Sequence, residues 1–331
     1  MKIYFVFLIF FNLFFFIFHD RISNFINVFD KPDKLRKFHK DNTAITGGIL
    51  VFFNLAIYSI YNFINPDNFI NEYYFYNNID FFIFLGTCFS LFSLGIIDDK
   101  YNISPNKKLL LIILILLPGI FYSDQLVIEN IKLTFLENQY SLNLFSKFWT
   151  LLCFLLFLNA FNMFDGINLQ VVLYSLFICL VLIFFTGFEI LFVSLIISLL
   201  FFMILNFKSK SFFGDGGTYL LSYIFGYLFI KLYNQTNEIY ADQIVLLMLL
   251  PGLELMRLFI IRLASKKNPF SGDRNHLHHL LSKENNFLRV TLITQSLIIL
   301  PFIFSLLIGF TIGFIFLVLI LYSIIIFKYT R

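Results

Sequence analysis

Runs of apolar residues long enough to cross a membrane recur from one end of this chain to the other, with little sequence between them. A helix needs about 20 mostly apolar residues to cross about 30 Å of hydrocarbon. Inside hydrocarbon the backbone must satisfy its own hydrogen bonds, so such runs fold as helices and not as open sheets. Composition agrees: 59% of the 331 residues are hydrophobic and 13% are charged. Soluble domains run at about 45–50% and about 25%. An all-α polytopic membrane protein is expected, one integral domain over residues 1–331.

Eleven spans are read near 2–18, 44–64, 80–97, 107–122, 147–161, 170–186, 188–206, 213–232, 242–263, 289–307 and 310–328, or ten where a border is soft. The first run, Ile3 to Phe18, lacks a small-residue cleavage site and reads as an uncleaved span. Residues 123–146 are too polar to cross and suit a short hairpin or interfacial helix. Cys88, Cys153 and Cys179 lie dispersed inside apolar runs, as packing residues.

Charge then sets sidedness. Loop 19–43 carries Arg21, Lys31, Lys34, Arg36, Lys37 and Lys40, while the next loop, 65–79, has neither Lys nor Arg. Lys100, Lys107 and Lys108 follow the third span, Lys208 and Lys210 the seventh, and Lys266, Lys267, Arg274 and Lys283 the ninth. Lys328 and Arg331 close the chain. Cytoplasmic loops collect Lys and Arg, so the N-terminus is expected in the periplasm and the C-terminus in the cytoplasm. The modest net charge of +4 reflects this asymmetry and calls for no nucleic acid.

With that count, four polar clusters share the cytoplasmic face, and loops 19–43, 98–106, 162–169, 207–212 and 264–288 are expected to build one active site. Asp98-Asp99 ends the third span. It is either a solvated terminus or a pair of hard oxygen ligands for Mg²⁺. Asn159, Asn162 and Asp165 recur at i, i+3 and i+6, which would align them on one helix face, either bonding across helices or lining a cavity. Gly214-Asp215-Gly216-Gly217 precedes a helix. Asp215 there is a plain N-cap, or it holds a cation against a phosphate at a glycine-rich helix N-terminus. His276, His278 and His279, beside Arg274, suggest phosphate or metal binding. The basic stretch with Lys34, Arg36 and His39 is a positive-inside loop that also attracts anionic headgroups.

Taken together, Asp98-Asp99, the Asn-Ala-Phe-Asn-Met-Phe-Asp-Gly run at 159–166, Phe-Gly-Asp-Gly-Gly at 213–217 and Asp-Arg-Asn-His-Leu-His-His at 273–279 resemble the polyprenyl-phosphate N-acetylhexosamine-1-phosphate transferases. The resemblance runs in order from about Asp30 to His279. It implies transfer of a sugar 1-phosphate, GlcNAc-1-phosphate by default, from a UDP-N-acetylhexosamine to undecaprenyl phosphate, with release of UMP. It implies Mg²⁺, with Mn²⁺ as a substitute, and a bacterial inner membrane with the site facing the cytoplasm. The product would start a cell-envelope glycan such as O-antigen, common antigen or a teichoic acid linkage. By resemblance Asp98, Asp99 and Asp215 are catalytic and metal-binding. Asn162, Asp165, Asn168 and Phe212 lie near uridine and diphosphate. Arg274, His276, His278 and His279 meet phosphate or sugar, and Lys34, Arg36 and His39 meet nucleotide phosphate.

Two places depart from the family. Asn168 stands where an acid is usual, and Thr43-Ala44-Ile45 replaces Thr-Pro-Arg before Gly47-Gly48. The donor sugar, including UDP-muramoyl-pentapeptide, stays open, as does a homodimer. A transporter of an anionic solute is the other reading, but it would place charges mid-span. A phosphate monoester is mostly dianionic at neutral pH, its second pKa being about 6. A carboxylate base at Asp98 would therefore gain little, and positioning is favoured.

Overall fold

A computed structural model describes residues 2–30, 42–65, 75, 77–236, 238–269 and 275–330. Among these, eleven helices of 16 to 24 residues overlap the eleven spans: α1 (Lys2–Ile17), α3 (Gly47–Ile64), α4 (Asn78–Tyr101), α5 (Pro105–Tyr122), α6 (Ser146–Phe164), α7 (Gln170–Thr186), α8 (Ile190–Phe207), α9 (Gly214–Gln235), α10 (Ala241–Ala264), α12 (Phe287–Ile308) and α13 (Thr311–Thr330). Two short helices, α2 (His19–Ile26) and α11 (Leu277–Leu281), lie in loops.

Among the described residues, eight helices are long and apolar enough to cross a membrane by length and composition, and α1 with α2 makes a ninth if that pair, bent by 77°, is one span. The chain thus qualifies for fewer crossings than the eleven expected. α7 has 17 residues, which is short. α9 is long enough but carries Tyr219, Tyr223, Tyr227, Tyr233 and Lys231. Burial explains that composition, because every residue from 216 to 233 is buried. A helix sheathed in protein is released from the apolar demand that lipid imposes, provided its polar groups find partners.

The chain forms two compact units. The first holds residues 1–119 and 171–228. In it α1, α3 and α8 pack together, with Asn12 and Asn54 exchanging amide hydrogen bonds at 2.7 and 3.1 Å between α1 and α3. A small sheet runs in the order β1 (Phe29–Asp30), β2 (Thr43–Ile45), β5 (Ser211–Phe212). β2 pairs antiparallel with β1 and parallel with β5, in the register Ile45 to Phe212. A buried chain pins it, from His19 Nε2 to Thr46 Oγ1 at 2.9 Å and on to Ser211 Oγ at 2.6 Å.

The second unit holds residues 120–170 and 229–331. Its helices α6, α10, α12 and α13 pack on one another. Of the short hairpin or interfacial helix expected over 123–146, the structure has the hairpin: β3 (Asn130–Ile131) pairs antiparallel with β4 (Tyr140–Ser141). Ala241 N–H donates to the Lys132 carbonyl at 2.9 Å, and Asp242 accepts from the Thr134 N–H at 3.0 Å and from its hydroxyl, which together anchor the start of α10.

Candidate active site

The acidic cluster forms inside the first unit, where two pairs of glycines let helices meet backbone to backbone. A Cβ on Gly95 of α4 would stand 2.3 Å from Gly216, and one on Gly48 of α3 would stand 2.4 Å from the Gly217 nitrogen. Both are inside any real contact, so the first turn of α9 can lie against α3 and α4 only because these positions are glycine. Gly48 N–H donates to the Phe213 carbonyl at 3.1 Å. Gly214 itself has φ +77°, a conformation open to glycine. Phe212, in β5, leads directly into this turn and is half-buried.

α4 continues past the expected span end to Tyr101, so Asp98 and Asp99 sit in its last turn. They do different things. Asp98 is buried at 7% exposure. Its Oδ1 accepts the Ile103 N–H at 2.7 Å, and its Oδ2 meets Lys108 Nζ at 2.5 Å. Asp99 Oδ1 accepts the Asp215 N–H at 3.0 Å and Oδ2 the Gly216 N–H at 3.3 Å. Asp99 is thus an N-terminal cap supplied to α9 by another helix. A carboxylate placed there satisfies two otherwise orphaned donors and complements the helix dipole.

Asp215, in the first turn of α9, turns its Oδ2 to the same Lys108 Nζ at 3.0 Å. Its side chain is 27% exposed, and that of Lys108 21%. The Lys108 ammonium also lies 5.8 Å from the centroid of the buried Tyr219 ring. Two carboxylates from different helices therefore converge on one cationic point. Lys108 was read from the sequence only as a positive-inside residue; nothing in its spacing signals that it reaches two acids.

The second unit gathers the histidines and the Asn-Met-Phe-Asp-Gly run at 162–166. Asn162 lies in the last turn of α6; the helix stops at Phe164, and Asp165 is its cap, its N–H donating to the Asn162 carbonyl at 3.2 Å. The alignment of three polar residues on one helix face therefore holds for Asn159 and Asn162, with Asp165 just beyond the helix. Asn168 is half-buried, and its carbonyl accepts the Thr291 hydroxyl at 3.3 Å. The three imidazole rings cluster, with centroids 4.3 Å apart for His278 and His279, 5.3 Å for His276 and His278, and 5.9 Å for His276 and His279.

His278 is buried at 4% exposure. A Cβ on Gly166 would come within 2.0 Å of its ring, so the Asp-Gly step leaves room for the imidazole. Burial first, then the neighbouring His279 and His276, pushes His278 well below its ordinary pKa of 6.5, so it is neutral. His276 and His279 are half-buried and keep accessible surface. Lys34, Arg36, His39 and Arg274 lie outside the described residues.

The chain is similar in sequence to known proteins. Residues 81–233, which contain Asp98, Asp99, Lys108, Asn162, Asp165 and Asp215, match the sequence model of glycosyl transferase family 4. The chain is 28% identical over 268 residues to the undecaprenyl-phosphate alpha-N-acetylglucosaminyl 1-phosphate transferase of Thermotoga maritima, covering 81% of this chain and 77% of that protein. It is 23% identical over 291 residues to the protein of the same name from Escherichia coli strain K12, covering 82% and 74%. The Salmonella typhimurium protein of that name is 26% identical over 271 residues, covering 78% and 70%. With the acids, the glycine turn and the histidines each built into a defined cluster, the chain is similar over residues 81–233 to glycosyl transferase family 4, and over most of its length to undecaprenyl-phosphate phospho-sugar transferases.

Proposed function

We propose that this protein transfers N-acetylglucosamine 1-phosphate from UDP-GlcNAc to undecaprenyl phosphate and releases UMP, at the cytoplasmic face of a bacterial inner membrane crossed eleven times. The convergence of Asp98 and Asp215 on a single cation beside the glycine-rich start of α9 carries this reading. The names of the relatives support the acceptor lipid and the sugar.

Both reactants bring phosphate, and charge is the main barrier to their meeting. The donor set of Asp98 and Asp215 suits Mg²⁺, which favours one or two carboxylates plus substrate phosphate oxygens, with Mn²⁺ as a substitute. Bound there, the ion would supply positive charge to phosphate oxygens. Lys108 bridges the two carboxylates, and would keep its ammonium beside them when the ion binds. Asp99 sets the first turn of α9, and with it the direction of the Asp215 side chain. The glycines at 216 and 217 let α9 start against α4 and α3, which places Asp215 beside Lys108. Asp98 needs no role as a base, because the attacking phosphate monoester is largely deprotonated at neutral pH.

His276 and His279 are assigned to the donor's phosphate or sugar, and His278 to holding the turn. Asn162, Asp165, Asn168 and Phe212 are assigned to the uridine diphosphate end, and Arg274, Lys34, Arg36 and His39 to its phosphates. The product is proposed to begin a cell-envelope glycan.

A donor panel tests the assignment. Purified protein with undecaprenyl phosphate and Mg²⁺ should release UMP from UDP-GlcNAc faster than from UDP-GalNAc, UDP-glucose or UDP-muramoyl-pentapeptide. Release from another donor first would reassign the sugar.

A further inference from the structure

Two charged side chains stand inside the second unit where apolar ones are expected. Glu254 and Arg257 lie one turn apart on α10, a helix apolar enough to cross a membrane. Their side chains are only 5% and 13% exposed. Ionisable groups at such positions are costly and tend to be kept for function. Neither belongs to the motifs read from the sequence.

Their hydrogen bonds say what they do. Arg257 Nη2 donates to Glu254 Oε1 at 2.6 Å, and Arg257 Nε donates to the Tyr322 hydroxyl at 2.9 Å. That hydroxyl in turn donates to Glu254 Oε2 at 2.7 Å. Glutamate, arginine and tyrosine thus close a neutral ring joining α10 to α13. In an apolar setting such a ring is stiff, because each bond polarises the next.

Two further bonds leave the ring, and both go to the histidine turn. Glu254 Oε1 accepts the Leu277 N–H at 2.9 Å, and Arg257 Nη2 donates to the Asn275 carbonyl. Asn275 and Leu277 are the residues on either side of His276. The backbone is therefore gripped both before and after the first histidine, at the entry to α11. A helix of five residues has little stability of its own, so these bonds determine where the turn sits.

We infer that Glu254, Arg257 and Tyr322 are positioning residues that grip the backbone on both sides of His276 and thereby set the presentation of His276 and His279 to the sugar-nucleotide donor. The inference rests on the proposed reaction, in which this turn meets the donor. Loosening the ring should weaken donor binding and spare the lipid substrate.

The test uses purified full-length protein with two substitutions. Tyr322→Phe removes one hydroxyl and leaves the ion pair, so it retains the fold. Glu254→Gln keeps the shape and weakens the acceptor for Leu277. Hydrogen–deuterium exchange across 275–281 reads the grip directly, and separate KM values for UDP-GlcNAc and undecaprenyl phosphate read its consequence. Exchange about tenfold faster is expected in that segment. With it, KM for the donor should rise about tenfold, while kcat and KM for the lipid stay near wild type. Unchanged exchange in both variants would overturn the grip. Faster exchange with an unchanged donor KM would overturn its positioning role. Wild-type protein that turned over no UDP-sugar would instead defeat the proposed reaction, and the exchange result would still decide the grip.

Discussion

Three aspartates that look alike in sequence are given different work by their partners. Asp98 and Asp215 share Lys108, whereas Asp99 receives two backbone N–H groups. Asp98→Asn and Asp215→Asn are expected to lower kcat/KM by about a thousandfold, the scale of several kcal/mol of lost charge stabilisation. Asp99→Asn should lose about tenfold, since an amide oxygen still accepts one N–H. Magnesium titration separates the roles: half-saturation should shift for the first two and hold for Asp99→Asn. Lys108→Met leaves two carboxylates facing each other without their cation. It should destabilise the protein by about 3 kcal/mol in the presence of a chelator, as breaking a largely buried ion pair does. Added Mg²⁺ should then raise the melting temperature more in Lys108→Met than in wild type. An equal rise in both would place the ion elsewhere.

At the scale of elements, backbone contact is the controlling feature. Alanine at Gly48 or Gly95 would drive a methyl group into the first turn of α9, while at Gly86 there is nothing within 4 Å. Gly48→Ala and Gly95→Ala are each expected to cost about 1–3 kcal/mol and to impair activity, with Gly86→Ala near neutral, as thermal melts would show. The contact between His278 and Gly166 makes a pH prediction. The unfolded chain takes up a proton at His278 below pH 6.5, and the folded chain does not. Its contribution to stability is complete above pH 6.5 and declines as pH falls below it, at up to about 1.4 kcal/mol per unit. Replacing His278 with Gln should flatten the stability profile between pH 5 and 6.5, measured by chemical denaturation.

Legibility also divides at this scale. The glycines of the Gly-Asp-Gly-Gly turn were visible as a phosphate-like motif, but their partners at Gly48 and Gly95 were not. Close approach joins residues more than a hundred positions apart, and no period or spacing records it. Thr43-Ala44-Ile45 looked like a weakened motif, and its place as the middle strand beside β5 emerges only when the chain folds. Glu254 and Arg257 were hidden because a closed neutral ring lets charge sit within an otherwise apolar run.

For the whole molecule, the apolar runs marked out the eleven long helices, since hydrocarbon imposes the same demand on each. The demand is absent for α9, buried from 216 to 233; together with the short α7 and the bent pair α1–α2, this leaves fewer qualifying crossings than long helices among the described residues. Single cysteines in loops 65–79, 123–146 and 233–241, probed with impermeant thiol reagents on intact cells, should all label from outside if the chain crosses eleven times. Labelling of one loop only after the membrane is opened would remove a crossing before it. The central claim is the reaction, and its chemistry offers a direct test. One pyrophosphate linkage replaces another, so the transfer should run readily in both directions. Purified protein with Mg²⁺ and the lipid-linked sugar product should therefore incorporate labelled UMP into UDP-GlcNAc, and the Asp215→Asn variant should not. Absence of exchange in wild-type protein that binds both substrates would contradict the account.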